Sequence, residues 1–208
     1  VKYRQGLQYP LICRRPRDGD DASDQVLLDA NKLAKGRSYF DLGGTSHSPD
    51  HKLLAYAYDD KGSEYYKIHI RDLATGKDLT DEIADTRGDV VWANDSRTFF
   101  WTWLDANHRP VKIFRHVLGT PSSEDVLVYE EKNPSFFVSI GETQSRAFIL
   151  ISAGDHETSE TRLIDANKPG GKPQLVARRK AGVRYSVEHA PAGTGGVDHA
   201  RLIILTNA

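Results

Sequence analysis

The sequence at residues 99–104 is Phe99-Phe100-Trp101-Thr102-Trp103-Leu104, a run that lacks the alternation of a strand with one wet face. Its apolar side chains fall on both faces, which predicts a strand that is covered on both sides. Similar runs, each after a turn-rich patch, occur at Leu53 to Tyr58, Ala147 to Ile151 and Leu202 to Leu205. This recurrence predicts an array of similar units.

The spacing between these runs is regular. Asp50, Asp95 and Gln144 each precede a run, and the intervals between them are 45 and 49 positions. Repeats of a helical solenoid would show a periodicity of 3.6 residues, whereas these units contain short strands and turns. Their length and content match the four-stranded blade of a β-propeller. A second strand follows the first three runs at a matching offset, over Tyr65 to Leu73, Pro110 to Leu118, and Ser159 to Ala166.

We therefore predict an all-β chain that forms a partial β-propeller, with about three complete four-stranded antiparallel blades and an incomplete blade at each end. One helical turn is expected, from Asp29 to Lys35, and Gly36 ends it. The 208 residues are interpreted as a single propeller segment: the remainder of a preceding blade at 1–38, with strands at Leu7 to Arg15 and Gln25 to Asp29, blades at 39–86, 87–131 and 132–180, and the start of the next blade at 181–208.

The charge balance argues against a nucleic-acid partner. Lys and Arg total 28 and Asp and Glu total 29, so the chain has no net basic field. The basic clusters Arg14 to Arg17 and Arg178 to Lys180 are interpreted as solvated loops. No apolar stretch approaches the roughly 20 residues of a membrane span, so no membrane partner is predicted.

The cysteine count and the start of the chain bear on its location. Cys13 is the single cysteine and cannot form an internal disulfide, and no signal peptide is visible. Both features predict a cytoplasmic protein. The chain contains no Met and opens in the middle of a pattern at Val1, which predicts a piece of a longer protein.

Motifs that carry chemistry are missing from the sequence. No G-x-S-x-G elbow, no phosphate-binding G-x-x-x-x-G-K-[ST] loop and no G-x-G-x-x-G occurs. The nearest visual match to the elbow, Gly43 to His47, is interpreted as a loop before a turn, and Gly193 to Gly196 as a hairpin loop. We predict no catalytic, cofactor-binding or metal-binding residue and no cofactor.

Several single residues have a structural interpretation beside a functional one. Cys13 is expected to be a small buried hydrophobe. His47 with His51, and His189 with His199, flank turns but form no four-ligand zinc pattern. His51 stands where such turns often have glycine, which costs little if its φ is negative. A further set could stack a ligand, although packing between blades explains it better: Trp92, Phe99, Phe100, Trp101 and Trp103.

Eight segments that carry a resemblance to a known family are spread in order over the whole chain, at Gln25 to Asn31, Tyr39 to Gly44, Ser48 to Asp50, Leu53 to Tyr56, Arg71 to Lys77, Asp125 to Glu131, Tyr185 to His189 and Ile204 to Asn207. Together they resemble the propeller of the prolyl oligopeptidase family of serine peptidases. Gln25 to Asn31, Tyr39 to Gly44 and Tyr185 to His189 resemble more narrowly its oligopeptidase B branch, also called protease II.

The resemblance implies a seven-bladed propeller that caps an α/β-hydrolase domain. In that family the Ser, Asp and His triad and the acidic residues that select a basic side chain lie in the hydrolase domain. None of those motifs occurs in this chain, so the resemblance assigns it no catalytic residue. The implied parent is a serine endopeptidase that cleaves short peptides after Arg or Lys, and the implied role of the propeller is to exclude folded proteins.

The repeat pattern alone equally allows a non-catalytic propeller that acts as a scaffold for protein or ligand binding. The implied partners under the first hypothesis are the C-terminal hydrolase domain of the same parent chain and short peptide substrates. We also expect the chain to self-associate, because an open arc of blades exposes strand edges and blade faces at both ends.

Overall fold

The computed structural model describes residues 1–194 and 198–208 and shows an all-β protein. No helix in these residues is long and apolar enough to cross a membrane. A short helix, α1, spans Ala30–Ala34, and 3₁₀ turns span Asp21–Ser23 and Ser122–Glu124. The strands of the described residues are β1 (Leu11–Arg14), β2 (Gln25–Asp29), β3 (Asp41–His47), β4 (Leu53–Asp59), β5 (Tyr66–Asp72), β6 (Asp78–Trp92), β7 (Thr98–Leu104), β8 (Pro110–Val117), β9 (Val126–Glu130), β10 (Phe137–Glu142), β11 (Phe148–Gly154), β12 (Ser159–Asp165), β13 (Gln174–Leu175), β14 (Tyr185–Ala190) and β15 (Arg201–Thr206).

The strands pair in chain order, and every neighbouring pair is antiparallel. Blade one consists of β3, β4, β5 and the first part of β6, and blade two of the second part of β6 with β7, β8 and β9. Blade three consists of β10 to β13, while β1 with β2 and β14 with β15 form two-stranded sheets at the ends. The predicted fold class, a partial propeller with three complete blades, is confirmed.

Blades one and two share a strand that the sequence did not predict to be continuous. β6 pairs with β5 up to Thr86 and with β7 from Thr86 onward. Asp85 and Gly88 have φ values of 58° and 90°, which bend the strand where its partner changes. The boundary placed between residues 86 and 87 falls inside this strand, and the division of the chain into units stays a prediction.

The apolar runs at Leu53 to Tyr58 and at residues 99–104 form strands that are buried on both faces, as predicted, whereas the run at Leu202 to Leu205 is exposed. Tyr56 in β4 and Phe99 and Phe100 in β7 are 1% exposed or less. Phe99 packs in one cluster with Ile68 of blade one, whereas its neighbour Phe100 packs with Ile151 of blade three. Successive residues of a strand point to opposite faces, so β7 fills the two interfaces on either side of blade two. The prediction that these aromatic residues pack between blades is confirmed.

Two local predictions differ in their outcome near the start of the chain. α1 forms as predicted, because the Asp29 carboxylate accepts hydrogen bonds from the first free peptide N–H groups of the helix. The strand expected over Leu7 to Arg15 is shorter and comprises Leu11–Arg14. Gly6 adopts a φ of 79° in a turn, and this turn delays the start of the strand.

Candidate functional site

The first strand of each of the three blades, and the first strand of the β14–β15 sheet, lies at the inner edge of the arc. We call β3, the second part of β6, β10 and β14 the inner strands. β3 contacts β6, and β6 contacts β10, so the inner strands follow one another along an arc. Each is hydrogen-bonded within its sheet on one side. In a propeller the innermost strands surround the central channel, and the inner-strand surface is therefore the candidate functional site.

The segment Gly43 to His47, interpreted from sequence as a loop, belongs to inner strand β3. Its pairing with β4 shifts register between Leu42 and Thr45, and Gly43 and Gly44 lie in this bulge. The bulge explains why two adjacent glycines, which favour a loop in the sequence, occur within a strand. Ser46 pairs with Ala55 in the ladder, and its carbonyl oxygen accepts a hydrogen bond of 3.1 Å from Trp92 Nε1. Ser46 thus lies in a strand and not at a nucleophile elbow.

Backbone packs directly against backbone between the first two inner strands. A Cβ atom added at Gly44 would come closer to the Gly88 carbonyl oxygen than real Cβ atoms approach. A Cβ at Gly43 would lie 2.7 Å from the ring of Tyr66. These glycines are required because the strands meet without room for a side chain. No gap for a peptide remains between blades one and two at this level.

The turns that follow three inner strands form a continuous hydrogen-bonded series, which we call the turn belt. It comprises residues 48–51, 93–96 and 143–146. The Asp50 N–H donates to Ser96 Oγ at 3.0 Å, and Asn94 Nδ2 donates to the Arg146 carbonyl oxygen at 3.1 Å. Gln144 N–H in turn donates to Glu188 Oε1 at 2.9 Å. The belt ties each blade to the next at one end of the inner strands.

His51 and the residues at the matching positions of the other two turns have left-handed backbone conformations. His51 has a φ of 59°, and Ser96 and Arg146 at the matching positions have 54° and 56°. The left-handed residue lets the chain reverse, and the Ser48 N–H then bonds to the Leu53 carbonyl oxygen at 2.9 Å. A non-glycine residue in this region costs about 1 kcal/mol. The condition under which His51 would cost little, a negative φ, is therefore not met, and the same left-handed geometry recurs in all three turns.

The first histidine pair stacks ring on ring, and His189 of the second pair contacts the turn belt. The rings of His47 and His51 stack with centroids 4.8 Å apart, and burial, together with the charges of His51 and Arg146, lowers the pKa of His47. His189 Nδ1 lies 2.8 Å from Ser145 Oγ in the turn belt. Among residues 1–194 and 198–208 no group of three or more His, Cys, Asp or Glu side chains is placed to hold a metal ion. Part of the predicted hairpin loop from Gly193 to Gly196 lies outside the described residues.

A cleft of about 1010 Å³ lies between blade three and the β14–β15 sheet, beside the ends of β10 and β14 that are opposite the turn belt. Phe137 and Ser139 of β10 and Tyr185 of β14 line it, together with Arg87 and Arg184, which precede or begin the neighbouring inner strands. The cleft therefore combines aromatic surface with two guanidinium groups. It lies at the end of the inner strands that is opposite the turn belt.

Cys13 is less buried than predicted. Its side chain is half-buried and lines a cleft of about 730 Å³ between the β1–β2 sheet and blade one, and its Sγ lies 3.8 Å from the Leu11 carbonyl oxygen. A cysteine at the surface of a two-stranded sheet has less covering than one in a complete blade. The prediction of a fully buried cysteine was therefore wrong.

Arg15 and Arg179 of the basic clusters lie outside strands and keep contact with solvent, as predicted, but both form ion pairs that the sequence did not predict. Arg15 forms ion pairs with Asp21 and Asp24. Arg179 Nη2 lies 2.6 Å from Glu131 Oε2 and 2.9 Å from Glu160 Oε1. The partners of Arg15 are six and nine positions away in the connection between β1 and β2, whereas those of Arg179 are 48 and 19 positions away and are brought close by the fold.

Two ionic clusters connect the outer parts of consecutive blades. In the first seam, defined as Asp81, His116 and Asp125, the His116 ring lies between the two carboxylates. Asp81 belongs to β6 on the blade-one side, and His116 and Asp125 belong to blade two. In the second seam, defined as Glu131, Arg179 and Glu160, Arg179 joins the end of blade two to β12 of blade three. Sequence analysis identified neither cluster.

Comparison with known proteins gives one family match over the whole chain. The family model described as the N-terminal β-propeller domain of prolyl oligopeptidase matches residues 1–208. A relative named dipeptidyl aminopeptidase BI, from Pseudoxanthomonas mexicana, is 41% identical in an alignment 204 residues long that covers 91% of this chain and 28% of the relative.

Solved structures of similar proteins share the fold. Oligopeptidase B from Leishmania major is 31% identical, with a TM-score of 0.87 over 97% of this chain and 28% of that one. Oligopeptidase B from Trypanosoma brucei, in a closed form with covalently bound antipain, is 36% identical, with a TM-score of 0.82 over 98% of this chain and 28% of that one. The chain thus spans little more than a quarter of the length of these proteins.

Proposed function

Because the chain belongs to the prolyl oligopeptidase family, as part of its N-terminal β-propeller domain, we propose that it gates access to a peptidase active site. The catalytic Ser, Asp and His would belong to an α/β-hydrolase domain elsewhere in the same parent protein. The chain itself supplies no catalytic residue and no cofactor site. Its partners are that domain and short peptides that reach the active site.

The observation that carries the proposal is that neighbouring blades pack against each other without a gap. Backbone contact at Gly44 and Gly88 and the buried aromatic residues of β7 fill the space between blades one and two and between blades two and three. A peptide therefore has no route between these blades. It can pass along the inner strands or enter when the whole propeller moves, and both routes select for small size.

The proposed specificity is for peptide bonds that follow Arg or Lys. Its support is the similarity to two structures named oligopeptidase B, which are 31% and 36% identical to this chain. No residue of the chain is assigned to this selection. Within the proposal the propeller determines which substrates arrive, and the hydrolase domain determines where they are cleaved.

The test uses the intact natural protein that contains these residues and a pair of substrates with one cleavage sequence. One substrate is a short blocked peptide with a single Arg and a fluorogenic leaving group. The other carries the same sequence in a loop of a stable folded domain. We expect rapid cleavage of the peptide and at least a hundredfold slower cleavage of the folded substrate. Equal cleavage of both would refute the gate.

The 208-residue chain alone provides the second arm of this test. It should not hydrolyse the arginyl peptide, because the proposal assigns it no catalytic group. Turnover by the pure chain that a serine-directed reagent abolishes would contradict the proposal. An intact protein that neither cleaves peptides nor reacts with that reagent would instead support a non-catalytic scaffold.

A second candidate activity is release of dipeptides from a free amino terminus. The 41% identical relative named dipeptidyl aminopeptidase BI favours it. The two activities differ in their need for the free α-amino group. Blocking the amino terminus of a dipeptidyl-arginyl substrate should leave an endopeptidase active and abolish an aminopeptidase, so this matched substrate pair separates them.

A further inference from the structure

The His116 ring in the first seam has a carboxylate at each of its nitrogens. Nδ1 lies 2.6 Å from Asp125 Oδ1, and Nε2 lies 3.0 Å from Asp81 Oδ1. A neutral imidazole carries one N–H and donates from one nitrogen, whereas an imidazolium donates from both. With both carboxylates ionised, this geometry is satisfied by the imidazolium form.

Further contacts hold both carboxylates in place. Trp101 Nε1 of β7 donates to Asp125 Oδ2 at 2.8 Å, and the Gly119 N–H donates to Asp81 Oδ1 at 2.6 Å. Hydrogen-bond donors favour the ionised form of a carboxylate. The ring of Phe99 covers His116 with centroids 4.9 Å apart, and the His116 side chain is 1% exposed. The charged groups that face His116 are thus Asp81 from β6 and Asp125 from the segment before β9.

The first seam lies across a bend in a shared strand. β6 passes from blade one to blade two through Asp85 and Gly88, both with positive φ. Asp81 stands on the blade-one side of this bend, and His116 binds it from blade two. The cluster therefore holds the angle between the two parts of β6, and the bend is the point about which that angle can change.

We propose that the first seam is a pH-dependent joint between blades one and two: the His116 imidazolium holds the outer strands together, and loss of its proton releases them about the bend in β6. Neutral His116 loses one of its two donors and leaves two buried carboxylates without a counter-charge. Arg179 in the second seam keeps its charge throughout this range, so blades two and three stay joined. This inference is independent of the proposed peptidase function.

The direction of the response follows from the surroundings of His116. Burial of the ring lowers its pKa, but the hydrogen bonds to Asp125 and Asp81 outweigh burial and raise the pKa above the ordinary value of 6.5. A raised pKa in the folded state gives stabilisation that is complete below pH 6.5 and is lost as the pH rises through the folded-state value. The joint is closed in mild acid and opens in alkali.

Hydrogen–deuterium exchange of the intact protein between pH 6 and pH 9 tests the joint. After correction for the intrinsic pH dependence of amide exchange, peptides covering 78–86 and 112–118 should lose protection as the pH rises. The opening constant should increase by up to about tenfold per pH unit between pH 6.5 and the pKa of His116 in the closed joint, and then level off. Peptides covering 159–165, beside the second seam, should show no such trend.

Two variants serve as a matched pair. His116→Gln removes the titrating group, so protection at 78–86 should be low at every pH and independent of pH. Arg179→Gln should reduce protection at 159–165 while leaving the pH dependence at 78–86 unchanged. A proton NMR titration of His116 in the unaltered protein decides the question without a variant, and a midpoint above 6.5 is expected. A midpoint below 6.5, or equal pH dependence of exchange at both seams, would overturn the proposal.

Discussion

The two seams both join consecutive blades through a cation, but the cation differs. Each places one cation between carboxylates from consecutive blades, with His116 in the first seam and Arg179 in the second. The His116 side chain is 1% exposed, whereas that of Arg179 is 27% exposed and its guanidinium lies 4.3 Å from the centre of the Phe136 ring. The buried imidazole is a cation that titrates near neutral pH, whereas the partly exposed guanidinium gives a weaker contact and keeps its charge.

The seams also respond to opposite changes in pH. Burial raises the pKa of Glu160, but hydrogen bonds from Arg179 and Arg162 outweigh burial and lower it to about 2. A depressed pKa gives stabilisation that is present above the ordinary glutamate value of 4.5 and is lost as the pH falls through the folded-state value. The second seam therefore weakens in acid, while the first weakens in alkali.

Replacement of His116 by leucine should produce the largest effect, because it leaves two buried carboxylates without their cation. Breaking a buried ion pair from one side costs about 3–5 kcal/mol of unfolding free energy. Urea denaturation at pH 6 measures the loss. The triple variant His116→Leu, Asp81→Asn, Asp125→Asn should recover part of it, since no charge then remains buried. A loss below about 1 kcal/mol in the single variant would show that the first seam contributes no more than a surface pair.

Gly44→Ala tests the inner side of the same blade pair, where contact is between backbones. The added methyl group meets the Gly88 carbonyl oxygen, and overpacking of this kind costs about 1–3 kcal/mol. Gly141→Ala on inner strand β10 is the matched control, since no described atom lies within 4 Å of its added Cβ. Urea denaturation of the two variants compares them. Equal stability would show that β3 and β6 can separate at no cost.

The fold was predictable because its signal is local and repeated. Apolar runs such as residues 99–104 record burial on both faces, and their regular spacing gives the size of a blade. The continuity of β6 was not predictable, because the bend at Asp85 and Gly88 looks like the turn between two units. A strand that changes partner without ending leaves no break in the pattern that sequence reasoning could detect.

The seams were not predictable because their members are distant in sequence. Asp81 and His116 are 35 positions apart, and Glu131 and Arg179 are 48 apart. One weak signal existed: Asp81 lies two residues before Ile83, at a position that strand alternation places on the buried face. A lone carboxylate at such a position requires a partner, but only the register of neighbouring strands identifies which one.

Arg179→Gln should have a smaller effect than replacement of His116, because solvent already screens the second seam. We expect a loss of about 1–2 kcal/mol at pH 7. The difference from the unaltered protein should shrink below pH 4.5, as the glutamates bind protons in the folded state. Arg179→Lys, which keeps the charge, is the control and should lose less. A difference that persists unchanged down to pH 2 would show that Arg179 acts through packing on Phe136 alone.

The two-stranded β14–β15 sheet leaves one strand uncovered, and we therefore expect the 208-residue chain to self-associate. β15 exposes Leu202, Ile203, Ile204 and Leu205, with Leu205 at 76% exposure. An exposed apolar strand at a sheet edge pairs readily with another chain, so we propose that two copies associate through β15.

Leu205→Lys should change the unfolding free energy by less than about 0.5 kcal/mol while raising the monomer fraction in light scattering. Val126→Lys, at a site that is 46% exposed in complete blade two, should leave the association unchanged. A chain that stays monomeric at every concentration would contradict this proposal. It would show that charge and twist at β15 suffice to protect the exposed strand, so that its apolar surface gives no driving force for pairing.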